Sequence, residues 1–329
     1  MKTLHGRHAL KASSHFQLGQ TRKLPDLQHE KWAYLARLIC FRWLISLPCA
    51  ALLLFSAISA DAKTLKLTTW NLEWLTAKPA GDPELPQDVT PKRAEDVASL
   101  ARYAERVASD VIAIQEVDGP EIAARVFPPD RYVIHMTRDR VVQRVGLVVR
   151  RGIDFVVNPD LVALVPAPTA RHPLRSGADI TLRLPGGFLR ILAVHLKTGC
   201  REEPLSRSSR PSCEVLRQQV PALQGWIAQR REEGVPFVIM GDFNRWMDGR
   251  DQMLAALRQS APLARATEGF SSPCWGGGGF IDHILAGGAA AAWMRPDTLR
   301  VTMYRESGAG WKERLSDHCA VSVNFEIPG

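Results

Sequence analysis

Acids, amides and histidines stand repeatedly at the ends of apolar runs in this chain. In PFVIMGDFNRW, Pro236 to Trp246, the run Phe237 to Met240 stops at Gly241, and Asp242 and Asn244 follow. Residues i and i+2 of an extended chain share a face, so both groups point to one side at the carboxyl end of a core strand. Open sheets place ligand sites at that end. TTWNLEW sets Asn71 and Glu73 after a second run, and AIQEVD sets Glu116 after a third. AVHLKTG carries His195, FIDHI carries Asp282 inside an apolar run, and LSDHCAV carries Asp317 and His318 before the last one. Singly, each has an ordinary explanation in a turn, a cap or a satisfied core histidine. Charged groups are rarely buried unless paired, so the set as a whole points to a site.

The chemistry is specific. Glu73, Glu116 and Asp317 offer hard oxygen ligands that suit Mg²⁺ or Mn²⁺, with Ca²⁺ as a further oxygen-binding cation. Two histidines can hold a phosphate or pass protons to its oxygens. Asp242 with Asn244 can orient a water for in-line attack. Together these groups suit metal-assisted hydrolysis of a phosphate ester. Other chemistries lack their residues. No Cys/His pattern has zinc spacing, no Gly-x-Ser-x-Gly elbow occurs, and the glycines 276–279 precede a strand rather than a helix.

These residues need strands to hold them. TLKLTTW (64–70) alternates and reads as a strand; VIAIQEV (111–117) and FVIM (237–240) read as buried strands. RYVIHMT and VGLVVR read as a strand pair, and DITLRL with FLRILAVHLK as a hairpin across PGG. GFIDHILAG and DHCAVSVNFEI are the last strands. Helices are expected over 90–109, with Thr90 as cap and Pro91 in the first turn, over 213–232 with a kink at Pro221, and over 248–259. In the first, Val97, Leu100, Ala104 and Val107 share a face. No repeat or low-complexity linker interrupts residues 63–329. The expectation is one α/β domain over 63–329, a mainly antiparallel sandwich with helices outside.

The net charge of +8 sits mostly at one end. Residues 1–60 hold eight Lys/Arg and two acids, leaving 34 basic and 32 acidic residues in the rest. A strongly basic body is thereby excluded, though a local patch is not. Residues 1–62 have their own logic. A basic segment ends at Arg42, an 18-residue apolar run spans Trp43 to Ala60, and Ala60-x-Ala62 follows. That pattern reads as a secretory leader, with an uncleaved membrane anchor as the alternative. Export to the periplasm or medium favours disulfides among Cys200, Cys213, Cys274 and Cys319. Cys200 and Cys213 bracket a polar loop, whose closure stabilises by about 3 kcal/mol. Cys274 with Cys319 is a weaker pairing, since Cys319 reads equally as a buried thiol.

WNLEW, IQEVD, RHPL, HLKTG, GDFN, IDHIL and SDH, in this order, resemble the endonuclease/exonuclease/phosphatase family, the DNase I-like fold, over about residues 64–327. The resemblance implies a four-layer α/β sandwich with two packed sheets and a site at one end. It implies that Glu116 binds the metal, with Glu73 and Asp317 close by and Asn71 supporting. Asp242 would orient or activate the water, and Asn244 would contact the phosphate. His195 and His318 would hold the phosphate and assist the leaving group, with Asp282 fixing His318. Arg171 matches the arginine of the family's Arg-x-Pro motif. Nucleases of this fold pair the first histidine with a glutamate; Gln143 is the expected counterpart, so His195 would act as a hydrogen-bond donor more than as an acid.

The family's substrates include DNA, RNA, sphingomyelin and inositol phosphates, and the core motifs do not choose. Arg201, Arg207 and Arg210 after His195, and Arg138, Arg140 and Arg144 on a second loop, favour a nucleic-acid backbone. Ordinary solvated loop charge is the competing explanation. The expectation is a monomeric, exported nuclease, with a phosphatase or sphingomyelinase-type phosphodiesterase as the alternative. A non-catalytic binding domain would lack one of Glu116, Asp242, Asp317 or His318, and all four are present. None of Tyr34, Tyr103, Tyr132 and Tyr304 stands in a motif of the family's apurinic-site enzymes.

Overall fold

The computed structural model describes residues 63–329. The leader expected over 1–62 lies outside the described residues. Twelve strands form two six-stranded sheets. The first has β1 (Lys63–Leu75), β2 (Val111–Val117), β3 (Tyr132–Met136), β4 (Arg144–Arg150), β11 (Met294–Thr302) and β12 (Ala320–Ile327), in the order β11-β12-β1-β2-β4-β3. The second has β5 (Asp154–Val157), β6 (Ala178–Leu184), β7 (Gly187–His195), β8 (Phe237–Asp242), β9 (Leu263–Arg265) and β10 (Asp282–Gly287), in the order β5-β6-β7-β8-β10-β9.

The apolar runs are explained by having two covered faces. Leu65, Leu67, Val111, Ala113, Ile180, Ile191, Met240 and Ile284 fill the layer between the sheets. Their neighbours Ile112 and Ile114 face outward under α1 (Ala94–Val107), and Leu192, Val194 and Ile239 face outward under α3 (Pro211–Glu232) and α4 (Gln252–Ser260). A strand buried on both faces loses the polar alternation of a half-exposed one. The result is the four-layer sandwich.

Helix α1 buries Val97, Leu100, Ala104 and Val107 as their spacing requires. It starts later than expected: Arg93, not Thr90, is the N-cap, and Asp96 Oδ2 accepts from the Arg93 amide at 3.1 Å. Helix α3 continues through Pro221. The strands missed in the sequence, β5, β9 and β11, are all edge strands, and β5 and β9 are short. β11 contains Pro296, and its pairing with β12 shifts register between Arg295 and Arg300, as a proline at a sheet edge demands. The short helix α2 (Pro120–Val126) was also unsignalled.

Two strand pairs are parallel, β1 with β2 and β7 with β8, one in each sheet. Their carboxyl ends carry Asn71, Glu116, His195 and Asp242, and β10 and β12 begin at the same rim. In register, His195 and Asp282 both pair with Asp242.

Candidate active site

Left-handed backbone marks where the strands turn into the site. Glu73 (φ 41°), Trp74 (φ 51°), Glu116 (φ 59°) and Asn244 (φ 53°) all adopt it. Such residues cost about 1–3 kcal/mol each and persist where surrounding structure compels them. β1 and β2 also lose register between Asn71 and Leu75, which releases Glu73 and Glu116 from the ladder. Gly241 has its own reason. A Cβ there would overlap the Val194 carbonyl of the paired strand, so only glycine lets β8 lie against β7.

The side chains converge on a cavity of about 750 Å³ whose lining includes Glu116, His195, Asp242, Asn244, Asp282, Asp317 and His318. Asn71 sits behind them. Its Nδ2 donates to Glu116 Oε1 at 3.0 Å and to Asp242 Oδ2 at 3.1 Å, and its Oδ1 accepts from the Glu73 amide at 2.9 Å. Asn71 therefore ties the two carboxylates and the Glu73 turn together. Glu73 Oε2 accepts from the Asp317 amide at 2.9 Å, and burial with the neighbouring Asp317 charge pushes the Glu73 carboxyl up to about 7. Lys92, its ammonium lowered by burial, faces Glu73, Glu116 and Asp317 and was not anticipated.

Asp242 is 1% exposed, and burial raises its carboxyl to about 7. Asn244 holds it twice, by its amide at 2.7 Å and by Nδ2 at 3.1 Å, while Nδ2 also donates to the Leu196 carbonyl at 3.1 Å. Both Asn244 amide hydrogens thus serve position; a phosphate contact would replace one of them. Asp282 Oδ2 lies 2.8 Å from His318 Nδ1, and the carboxylates of Asp282 and Asp242 hold the imidazole well above its ordinary value against the cost of burial. The ligand atoms of Asp242, Asp282 and His318 lie within 4.8 Å of one another, and this hydrogen bond accounts for much of the cluster.

Two expectations are corrected. Gln143 does not pair with His195; it donates to Glu116 Oε2. His195 Nε2 stands 3.6 Å from Glu116 Oε1 and 3.5 Å from Asp242 Oδ2, and its Nδ1 is buried without a partner. Burial first, then the Arg175 charge, drive the imidazole well below its usual range. Burial and the arginine therefore favour the neutral imidazole. Arg171 is the second correction. It is exposed and outside the cavity lining, whereas Arg175, 7% exposed, lines the cavity near Glu116 and Asp242. The signal lay in PLRSGADI, where Arg175 stands three residues before the buried strand β6.

Both disulfides form, including Cys274–Cys319, which the sequence left open. The first closes the loop after His195. The second pins the cavity wall at Trp275 beside His318, where the Trp275 indole donates to the Ser316 carbonyl at 2.9 Å. Arg245, next after Asn244, is buried and holds the first loop: its Nε lies 2.6 Å from Asp251 Oδ2, and its guanidinium donates to the carbonyls of Cys200 (2.9 Å) and Glu203 (3.0 Å). Of the loop arginines expected to face substrate, Arg201 lines the cavity, joined by Lys197 and Lys312. Arg210 pairs with Glu203 and Arg144 with the Asp118 carbonyl.

No curated protein sequence matches this chain. Solved structures share its fold. A 3′ phosphatase, NExo, from Neisseria bound to a product DNA hairpin has a TM-score of 0.54 at 18% identity, covering 80% of this chain and 99% of that one. Humanized D. rerio TDP2 has a TM-score of 0.53 at 15% identity, with 80% and 99% covered. The human Nocturnin catalytic domain has a TM-score of 0.50 at 15% identity, with 80% and 94% covered. The model of the Endonuclease/Exonuclease/phosphatase family matches residues 68–318, the span from β1 to His318 that builds the cavity, and the chain belongs to that family.

Proposed function

We propose that the protein is an exported, divalent-metal-dependent phosphodiesterase that cleaves nucleic acid by in-line attack of water. One observation carries this: Asp242 and His318, a buried base and a protonated imidazole, face one cavity together with Glu116 and Asp317, and Glu73 stands beside it, accepting from the Asp317 amide. The three carboxylates fit a hard cation: they are oxygen donors, and burial, then the Asp317 charge, raises Glu73 where no cation offsets them. They would hold Mg²⁺ or Mn²⁺, with Ca²⁺ also compatible, and the ion would supply Lewis-acid charge to the phosphate oxygens.

The chain's own groups do the rest. Asp242, poised near neutrality and fixed by Asn71 and Asn244, takes the proton of the attacking water at a carboxylate oxygen. His318, held by Asp282, presents Nε2–H to the phosphate or to the departing oxygen. Neutral His195 and the cationic Arg175 bind the non-bridging oxygens, whose negative charge grows during attack. Lys197, Arg201 and Lys312 extend positive charge around the mouth. Nucleic acid is favoured by that charge, and by relatives of the same fold described with DNA, including D. rerio TDP2 complexed with a single-strand DNA product. Two disulfides beside the site support an oxidising compartment, and no helix among the described residues is long and apolar enough to cross a membrane.

Plasmid nicking by the purified protein tests the proposal. Cleavage with Mg²⁺ or Mn²⁺, its loss in EDTA, and its loss in Asp242→Ala are expected. Hydrolysis of a phospholipid or a phosphomonoester by a protein that leaves DNA and RNA intact would move the substrate to the phosphatase or sphingomyelinase class.

A further inference from the structure

A second cavity of about 360 Å³, at the small end of ligand pockets, adjoins the catalytic one. Trp246, Gly279 and Phe280 line both. The Trp246 indole packs on Gly279 so closely that a Cβ there would stand 2.7 Å from its Cδ1 and Nε1. The partition is therefore one indole against bare backbone, two residues beyond Asn244. Across the second cavity stand Phe270, 53% exposed, and Arg265, 8% exposed. Arg265 Nη1 donates to Thr267 O at 3.2 Å and to Thr267 Oγ1 at 3.1 Å, but its Nε–H is buried without a partner. Asp248 and Glu268 contribute exposed carboxylates to the same lining, and Glu268 Oε2 lies 3.2 Å from Arg258 Nη2, leaving its other oxygen open.

Aromatic surfaces, one arginine and two carboxylates suit a flat heterocycle with acceptors and donors on its edge. They suit a phosphate less, since Asp248 and Glu268 offset the charge of Arg265 and Arg258. We propose that this second cavity receives one nucleobase of the substrate strand, guanine by its edge, while the adjoining phosphate occupies the catalytic cavity. Guanine presents O6 and N7 to a guanidinium, and its N1–H and N2 amine to carboxylates. Its faces stack on indole or phenyl rings. The base reaches the cavity only out of its stack, so the strand is single or frayed at the cleavage point. The proposal rests on the nucleic-acid reading of the catalytic cavity and deepens it.

Calorimetric titration of the full chain with guanosine monophosphate and with ribose phosphate separates base from phosphate binding. A preference of about tenfold or more for the nucleotide is expected, as for one stacked base. Arg265→Lys and Phe270→Ala should each remove most of it; Phe270 is half-exposed, so its truncation leaves the core intact. Equal affinity for the two compounds, or a preference that survives both substitutions, overturns the base site. A wild-type protein that shows the preference but cleaves neither single-stranded nor duplex nucleic acid overturns the nuclease reading instead and leaves the base site standing.

Discussion

Asp282 Oδ2 lies 2.8 Å from His318 Nδ1, and the same imidazole sets Nε2 3.8 Å from Asp242 Oδ2. One residue from β10 thereby fixes the tautomer and charge of a residue just before β12, in the other sheet. Asp242, across the rim on β8, completes a carboxylate on each side of the ring.

Asp282→Asn should lower kcat about 100-fold or more, because His318 loses orientation and its protonated form loses a charge partner. The direction in pH follows from that partner. Asp282 holds the imidazole up, so its removal lets His318 deprotonate at lower pH, and the alkaline limb of the pH–rate profile should move down. The acid limb, where Asp242 must be ionised to accept a proton, lies near 7 in the parent and should move down by less, because burial is the main cause of that rise and the Asp282 charge a smaller one. A pH–rate profile of the Asp282→Asn enzyme identical in shape to the parent would remove His318 from the protonic role.

Gly241→Ala tests the backbone of the rim. The added methyl overlaps Val194, whose position is fixed by the β7–β8 ladder. Loss of soluble folded protein, or destabilisation beyond about 3 kcal/mol, is expected. Urea denaturation reads it, and a shift under about 1 kcal/mol would show that the ladder yields there.

Arg245→Ala should cost about 3–5 kcal/mol, because it leaves buried Asp251 uncompensated and two loop carbonyls unpaired. Arg245→Lys should recover only part, since one ammonium cannot reach three partners in different directions. Denaturation midpoints of both variants, compared with the intact Cys200–Cys213 bridge, measure the clamp separately from the disulfide.

His283 should make stability fall in acid. It is 1% exposed, bonded at Nδ1 to Thr267 Oγ1 (2.7 Å) and at Nε2 to the Arg245 carbonyl (3.0 Å), and burial brings it down to about 3. Its folded value lies below the unfolded one, so the unfolded state binds the extra proton between about 6.5 and about 3. The stabilisation is complete above 6.5 and is lost as pH falls through that window, by at most about 1.4 kcal/mol per unit. Urea midpoints across the window should show a shallower slope in His283→Gln than in the parent; equal slopes would assign the acid sensitivity to other groups.

The sequence by itself determined the strands that build the rim and most of the residues on it. Runs such as FVIM and VIAIQEV are legible because burial on two faces removes polar alternation, and the polar residues ending them stand out for that reason. Three of the four edge strands were not legible: β5 and β9 are short, and β11 is partly exposed and carries a proline. Only the tertiary structure decided which partners meet. Gln143 was expected beside His195, yet its amide donates to Glu116 Oε2. Arg171 and Arg175 are four residues apart, and the approach to β6 buries one and exposes the other. Cys274 finds Cys319 across 45 residues of chain. Residue type and spacing specify which chemistry a chain can do, because they follow local periodicity. Pairing and charge state depend on distances and burial between distant segments, which exist only once the two sheets pack.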